Sequence, residues 1–111
     1  MNFTPFETRN LVFIDTEFTD LDPTSGELLS VGMVTFDGRE LYIELASSAP
    51  SSEWVQQHVE PLLNGLKFTK QQAAAQIEEF IGTSNPYVVA FVDNYDVMYL
   101  TKLFGAGKLP F

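Results

Sequence analysis

Two strand-like runs, Leu28 to Phe36 and Arg39 to Leu45, are separated only by Asp37-Gly38. Both turn positions tolerate positive φ, so the pair predicts a two-residue β-hairpin. In the second run polar and apolar residues alternate, placing Leu41, Ile43 and Leu45 on one face. That period belongs to a strand buried on one side. The hairpin limits the chain to folds with an antiparallel pair, and the other segments must be arranged around it.

Leu11 to Ile14 is an apolar run that reads as a central strand, and Asp20 to Gly26 as a turn. Ala46 to Ser52 is a polar loop ending in a helix N-cap, Ser51 or Ser52. A helix follows from Glu53, and Pro61 kinks or ends it because its ring clashes with the preceding turn. Thr69 caps a second helix, Lys70 to Ile81, whose Ala73, Ala74, Ile77, Phe80 and Ile81 form a buried stripe. Pro86 precedes a strand from Tyr87 to Val92, with Val89 to Val92 buried, and a last helix runs from about Tyr95 to Phe104. Three strands, helices, a strand and a helix define an α/β chain with a mixed sheet. A hairpin followed by a parallel strand beside the first opens a ribonuclease H-like sheet.

At 111 residues, positions 1–111 read as one domain with a single core. With no cysteine, neither a disulfide framework nor a thiolate metal site can form. The N-terminal MNFTPFETRN has no apolar h-region, and no run approaches the roughly 18 residues of a membrane span. The expectation is a soluble, cytoplasmic protein with no membrane partner. Six basic residues against fifteen acidic ones give a net charge of −9. A broad nucleic-acid surface usually carries the opposite balance. An enzyme that meets phosphate through bound divalent cations is still allowed, since the ions bring the positive charge.

The segment FIDTEFTDLD sets Asp15, Glu17, Asp20 and Asp22 within eight residues at the end of an apolar strand. Residues i and i+2 of a strand share a side, so the Asp15 and Glu17 carboxylates converge. Hard cations such as Mg²⁺ and Mn²⁺ take oxygen ligands and keep positions open for water and phosphate. Two such ions can activate water and stabilise the leaving oxygen of a phosphodiester. Asp93 and Asp96, where the later strand meets the last helix, offer further carboxylates. Solvated loop acids are the plain alternative for an isolated D-x-E. An EF-hand is excluded, because neither Asp15 nor Asp20 as first ligand puts Gly at position six and Glu at position twelve.

FIDTEFTDLDPTSGELLSVGMV resembles the first motif of the DEDD 3′–5′ exonucleases, and the ribonuclease AS-like exoribonucleases are the closer match. Their D-T-E-F, E-L-I-S-I-G-V-V and D-G-R-E-Y-Y are echoed by Asp15 to Phe18, Glu27 to Val34 and Asp37 to Tyr42. EWVQQHVEPLL resembles that family's W-V-x-x-H-V-x-P-x-L helix, and AFVDNYDVMYLTKLFG its second acidic motif. The likeness runs in order from about Leu11 to Pro110.

The resemblance implies a metal-dependent 3′–5′ exoribonuclease acting on the 3′ end of single-stranded RNA. Asp15, Glu17 and Asp96 would hold two divalent cations, Mg²⁺ or Mn²⁺, and carry catalysis. Phe18, Thr19, Asp20 and Leu21 would line the pocket for the terminal nucleotide, with Phe18 as an aromatic face, Leu21 as a wedge and backbone amides near Thr19 and Asp20 on the ribose. A homodimer is implied as well. The family's third motif, H-x-x-x-x-D, is absent from the chain, as are its last strand and helix. The fold is therefore expected to be C-terminally truncated. The alternative is a catalytically weak or inactive relative that binds RNA ends or a partner protein.

The only histidine, His58, falls on the family's structural helix and is expected in the core with Trp54, Val55 and Val59. Base stacking is the rival role for Trp54. Asp93 would cap the last helix, with Asn94 as the rival, and Lys102 and Lys108 near the chain end could guide RNA, although two lysines are few for that task.

Overall fold

The computed structural model describes residues 11–83, 85–90, 93–105 and 107–111, and of residues 93 and 94 the backbone alone. The strands are β1 (Leu11–Phe18), β2 (Leu28–Thr35), β3 (Glu40–Leu45), β4 (Lys67–Phe68) and β5 (Tyr87–Ala90). The helices are α1 (Glu53–His58), α2 (Lys70–Ile81) and α3 (Asp93–Phe104), with a 3-10 turn at Glu60–Leu62. They make one mixed sheet in the order β4-β3-β2-β1-β5. β1, β2 and β3 form an antiparallel meander, while β5 lies parallel to β1 and β4 parallel to β3. This is the ribonuclease H-like mixed α/β sheet that the sequence predicts. Residues 91 and 92, the expected end of β5, and the capping side chains of Asp93 and Asn94 lie outside the described residues.

The sheet buries one face. Val12 and Ile14 of β1, Val31 and Met33 of β2, and Ile43 and Leu45 of β3 meet Ala73, Ile77 and Ile81 of α2 and Tyr99 and Leu100 of α3. The period of two in the strands and the stripe on α2 supply both halves of this core. α2 begins in a capping box: the Thr69 hydroxyl accepts from the Gln72 N–H and the Gln72 side chain accepts from the Thr69 N–H. α1 is capped by Ser52, one of the two serines proposed, and Pro61 opens the 3-10 turn that follows it.

Two local expectations are corrected. The hairpin turn has three residues, Phe36 to Gly38, closed by the Thr35 N–H donating to the Arg39 carbonyl. Only Gly38, at φ 94°, takes the left-handed conformation, and Asp37 instead accepts a hydrogen bond from the Thr35 hydroxyl. A type I turn plus one left-handed glycine is the next commonest hairpin connection. Val89 is not a buried strand residue: it is 41% exposed and pairs with Phe13, itself 43% exposed.

Phe13, Val34 and Val89 sit in register on the face of the sheet opposite α2 and α3. Adjacent exposed apolar residues on one sheet face favour association. The isolated chain is thus expected to self-associate in sedimentation velocity as concentration rises. A monomer throughout the range contradicts this. Among the described residues no helix is long and apolar enough to cross a membrane.

Candidate active site

β1 continues past its apolar half through Asp15, Thr16 and Glu17. Asp15 pairs with Gly32 and Glu17 with Ser30, so both carboxylates rise from the face of the sheet that α2 and α3 leave open. Thr16, between them, is buried on the other side. The register then slips: Glu17 faces Ser30 but Phe18 faces Leu28, leaving Leu29 as an extra residue on β2. This bulge lets two consecutive leucines be buried in different places. Leu28 joins the main core, and Leu29 packs under α1 with Val55 and Val59.

The turn after β1 is held by side chains and backbone. Phe18 stacks on Tyr99 at 4.6 Å between centroids and lies 5.7 Å from Tyr95. Thr19 is fully buried; its N–H donates to the Glu27 carbonyl, its hydroxyl accepts from the Glu27 N–H, and its carbonyl accepts from the Ser52 N–H. Asp20 is exposed, with Oδ1 accepting from the Leu21 N–H, and Leu21 is 61% exposed. Of the four residues proposed for the nucleotide pocket, Asp20 and Leu21 are therefore open to solvent. Phe18 is partly covered by the tyrosines, and the Thr19 amide already has its acceptor. Asp22 caps its own turn by accepting from the Thr24 N–H at 3.0 Å, the behaviour expected of a turn aspartate. Tyr99 donates to the Asp20 carbonyl, and Lys102 donates to the carbonyls of Pro23 and Gly26. Lys102 thus binds the turn. Gly26 is needed here: a Cβ would collide with the Tyr99 hydroxyl and lie 2.9 Å from the Asp22 carbonyl.

Asp96 comes from the first half of α3 and is buried. Its Oδ1 accepts from the Thr16 N–H at 3.1 Å and from the Thr16 hydroxyl. Asp96 therefore ties α3 to the strand segment between the two acids. Among the described residues, no three His, Cys, Asp or Glu side chains assemble into a metal-holding group. The structure brings Asp15 and Glu17 together and sets Asp96 beside them, facing Thr16.

α1 and the 3-10 turn border the open face of the sheet. A cleft of about 350 Å³ runs between them and the strands, with Asp15 and Glu17 on one wall and Trp54 and His58 on the other. The core role expected for Trp54 and His58 is thus corrected. Val55 of α1 and Val59, which caps its C-terminus, are the buried pair, whereas Trp54 is 62% exposed and His58 is exposed. On a helix each residue turns about 100° from the last, so the pair one position earlier points away from the core.

Tyr42 also lines the cleft and donates to Glu44 Oε2 at 2.8 Å. Burial of its hydroxyl and the Glu44 carboxylate push the phenol up to about 12. Glu44 is itself buried beside this wall, where Lys67 and the Gly65 N–H donate to Oε1. Those bonds, with Lys67 first, hold its carboxyl below the usual range. Glu44 thereby fastens the loop after the 3-10 turn to β3.

Glu17 behaves oppositely. Burial first, then the charges of Asp15 and Asp96, hold its carboxyl above the ordinary carboxylate range. Among the described residues neither Asp15 nor Glu17 is paired with a lysine or arginine. Crowded oxygen donors without a basic partner fit a hard divalent cation, which can bind through one or two carboxylates and leave places for water and phosphate. Without metal, the raised acid has a thermodynamic consequence. The folded state holds the Glu17 proton more tightly than the unfolded chain, so this stabilisation is full below the ordinary glutamate value of 4.5 and is lost as pH rises through the folded value. In EDTA, Glu17→Gln is expected to melt above wild type at pH 7 and level with it near pH 4. A melting temperature at pH 7 below that of wild type would contradict the crowding.

Comparison with known proteins finds two curated relatives from two strains of Mycobacterium tuberculosis, each named a 3′–5′ exoribonuclease. Each is 37% identical to this chain over 102 aligned residues, covering 84% of the chain and 60% of the relative. The chain therefore spans about three fifths of the length of the relatives it matches. No family model matches it.

Proposed function

We propose that this chain is the metal-dependent 3′–5′ exoribonuclease domain of a ribonuclease AS-like protein of the DEDD type, acting in the cytoplasm on single-stranded RNA. The observation that carries this reading is the Asp15–Glu17 pair on the open wall of a cleft, in a chain alike in sequence to proteins named for that activity. Asp15 and Glu17, joined by Asp96, would hold Mg²⁺ or Mn²⁺. Bound divalent cations supply Lewis acidity, lower the pKa of water and balance the phosphate charge.

The chain's own part is to position. Glu17 sits against the bulge and Asp15 one strand repeat before it, which fixes their spacing to the strand geometry. Thr16, gripped by Asp96, keeps that segment from twisting away from α3. Asp20 and Leu21 stand at the strand's exit, where the terminal nucleotide would lie. Hydrolysis adds water across the last phosphodiester: the oxygen of water joins phosphorus, the bond to the preceding 3′ oxygen breaks, and that oxygen takes a proton.

The capture of Asp96 Oδ1 by Thr16 favours a second reading, in which the domain binds RNA ends or a partner without turnover. Metal binding is the first test of the site. A ligand that binds only the folded state adds about 2.7 kcal/mol at a hundredfold excess over its Kd. Mn²⁺ is expected to raise the melting temperature of wild type and to have little effect on Asp15→Asn. Equal responses in the two proteins would remove Asp15 from the site.

A further inference from the structure

Gly32 stands where a strand calls for a side chain. It lies inside β2, the central strand of the sheet, between Val31 and Met33, which point into the core. Glycine weakens a strand interior, because it has more backbone freedom to lose and nothing to pack. Of the seven glycines, four take left-handed φ and two are crowded against Tyr99 or Glu44. Gly32 is in neither group. A Cβ there would meet only the Asp15 carbonyl, at 3.8 Å, an ordinary contact. Among the described residues, nothing in the fold requires the missing side chain.

Its place in the sheet supplies the reason. Gly32 pairs with Asp15 on one side and Tyr42 on the other, and all three line the cleft. Neighbouring strands stand about 4.8 Å apart, so the bare strip between the Asp15 and Tyr42 side chains spans about 9.6 Å. β2 is hydrogen-bonded to β1 and β3, so its amides and carbonyls belong to the sheet and cannot read a base edge. The strip therefore offers shape alone, a C–H surface without charge. That suits the C–H face of a sugar. Close approach of a ligand is one of the uses of glycine within a strand.

We propose that Gly32 is the floor of a sugar subsite, on which the ribose adjoining the scissile phosphate lies between Asp15 and Tyr42. It rests on the nuclease reading and adds to it a steric contact that is blind to base sequence. Tyr42 closes the far side of the strip, 59% exposed and with its hydroxyl held by Glu44.

The test adds a side chain where there is none. Gly32→Ala and Gly32→Val both suit strand backbone, so in EDTA each is expected to melt at or above wild type. Gly32→Ala should also keep the full Mn²⁺ rise in melting temperature. A 5′-labelled hexauridylate is titrated in Ca²⁺, so that anisotropy reads binding apart from hydrolysis. A methyl group raises the floor by about 1.5 Å. Gly32→Ala is expected to bind about ten-fold more weakly than wild type and Gly32→Val about a hundred-fold, the cost of displacing a bound group by about 1 Å or more. Equal affinity in wild type and Gly32→Val overturns the subsite and leaves the nuclease reading standing. So does a Gly32→Ala protein that melts below wild type or loses the Mn²⁺ rise, since the glycine would then serve the fold or the ions. No RNA bound by wild type overturns both.

Discussion

Replacing Asp15 with alanine is expected to lower Mn²⁺-dependent RNA hydrolysis by about a thousand-fold. Lewis-acid stabilisation of a developing phosphate charge is worth several kcal/mol, and each 1.36 kcal/mol is about ten-fold in rate. Glu17→Ala should cost as much, because the two carboxylates share one patch of strand and neither has a substitute on that wall of the cleft. Asp22→Asn is the control. Its side chain serves the turn through the Thr24 N–H, which an amide oxygen can also accept. Initial rates on a short single-stranded RNA measure all three variants. An Asp15→Ala protein within ten-fold of wild type would exclude that residue from the reaction.

Tyr99→Ala should have the largest effect on stability. Tyr99 is 1% exposed, stacks on Phe18 and donates to the Asp20 carbonyl, so it joins α3 to the turn that follows the two acids. Truncating a buried aromatic costs about 3–5 kcal/mol. For a domain whose whole stability is about 5–15 kcal/mol, that approaches global unfolding. Urea denaturation measures it. Tyr99→Phe keeps the stack and loses only the hydroxyl, so it should cost about 1–3 kcal/mol through the unsatisfied carbonyl. If Tyr99→Ala cost less than Tyr99→Phe, the stack would contribute nothing and the hydrogen bond would carry the residue.

Periodicity exposes the sheet's inner face. Leu41, Ile43 and Leu45 alternate as strand residues do, and the stripe Ala73, Ile77 and Ile81 marks α2, so the core was readable from spacing alone. The carboxylate pair was readable for the same reason, since a D-x-E on a strand must share a side. Other features arise from tertiary contacts that spacing does not encode. The bulge at Leu29 depends on α1 offering a second apolar cluster, and the two-residue β4 on Glu44 drawing Lys67 to β3. Asp96 pointing at Thr16 is likewise a matter of where α3 lands. Trp54 and His58 were legible in part: Val55 and Val59 are also an i, i+4 pair, and a six-residue helix can bury only one such pair well. Aliphatic Val55 and Val59 took the buried side, which left the two rings one position earlier in the cleft.

Under the proposed function, the Asp15–Glu17 wall would remove nucleotides from the 3′ end of RNA with a divalent cation. The direct measurement uses one RNA labelled at its 5′ end and incubated with wild type, wild type in EDTA, and Asp15→Asn, with products resolved at single-nucleotide steps. A ladder shortening one nucleotide at a time from the 3′ end, in Mn²⁺ and with wild type only, is the result the account predicts. A ladder of equal intensity with Asp15→Asn, or intact RNA in every lane while Mn²⁺ still stabilises the fold, contradicts it.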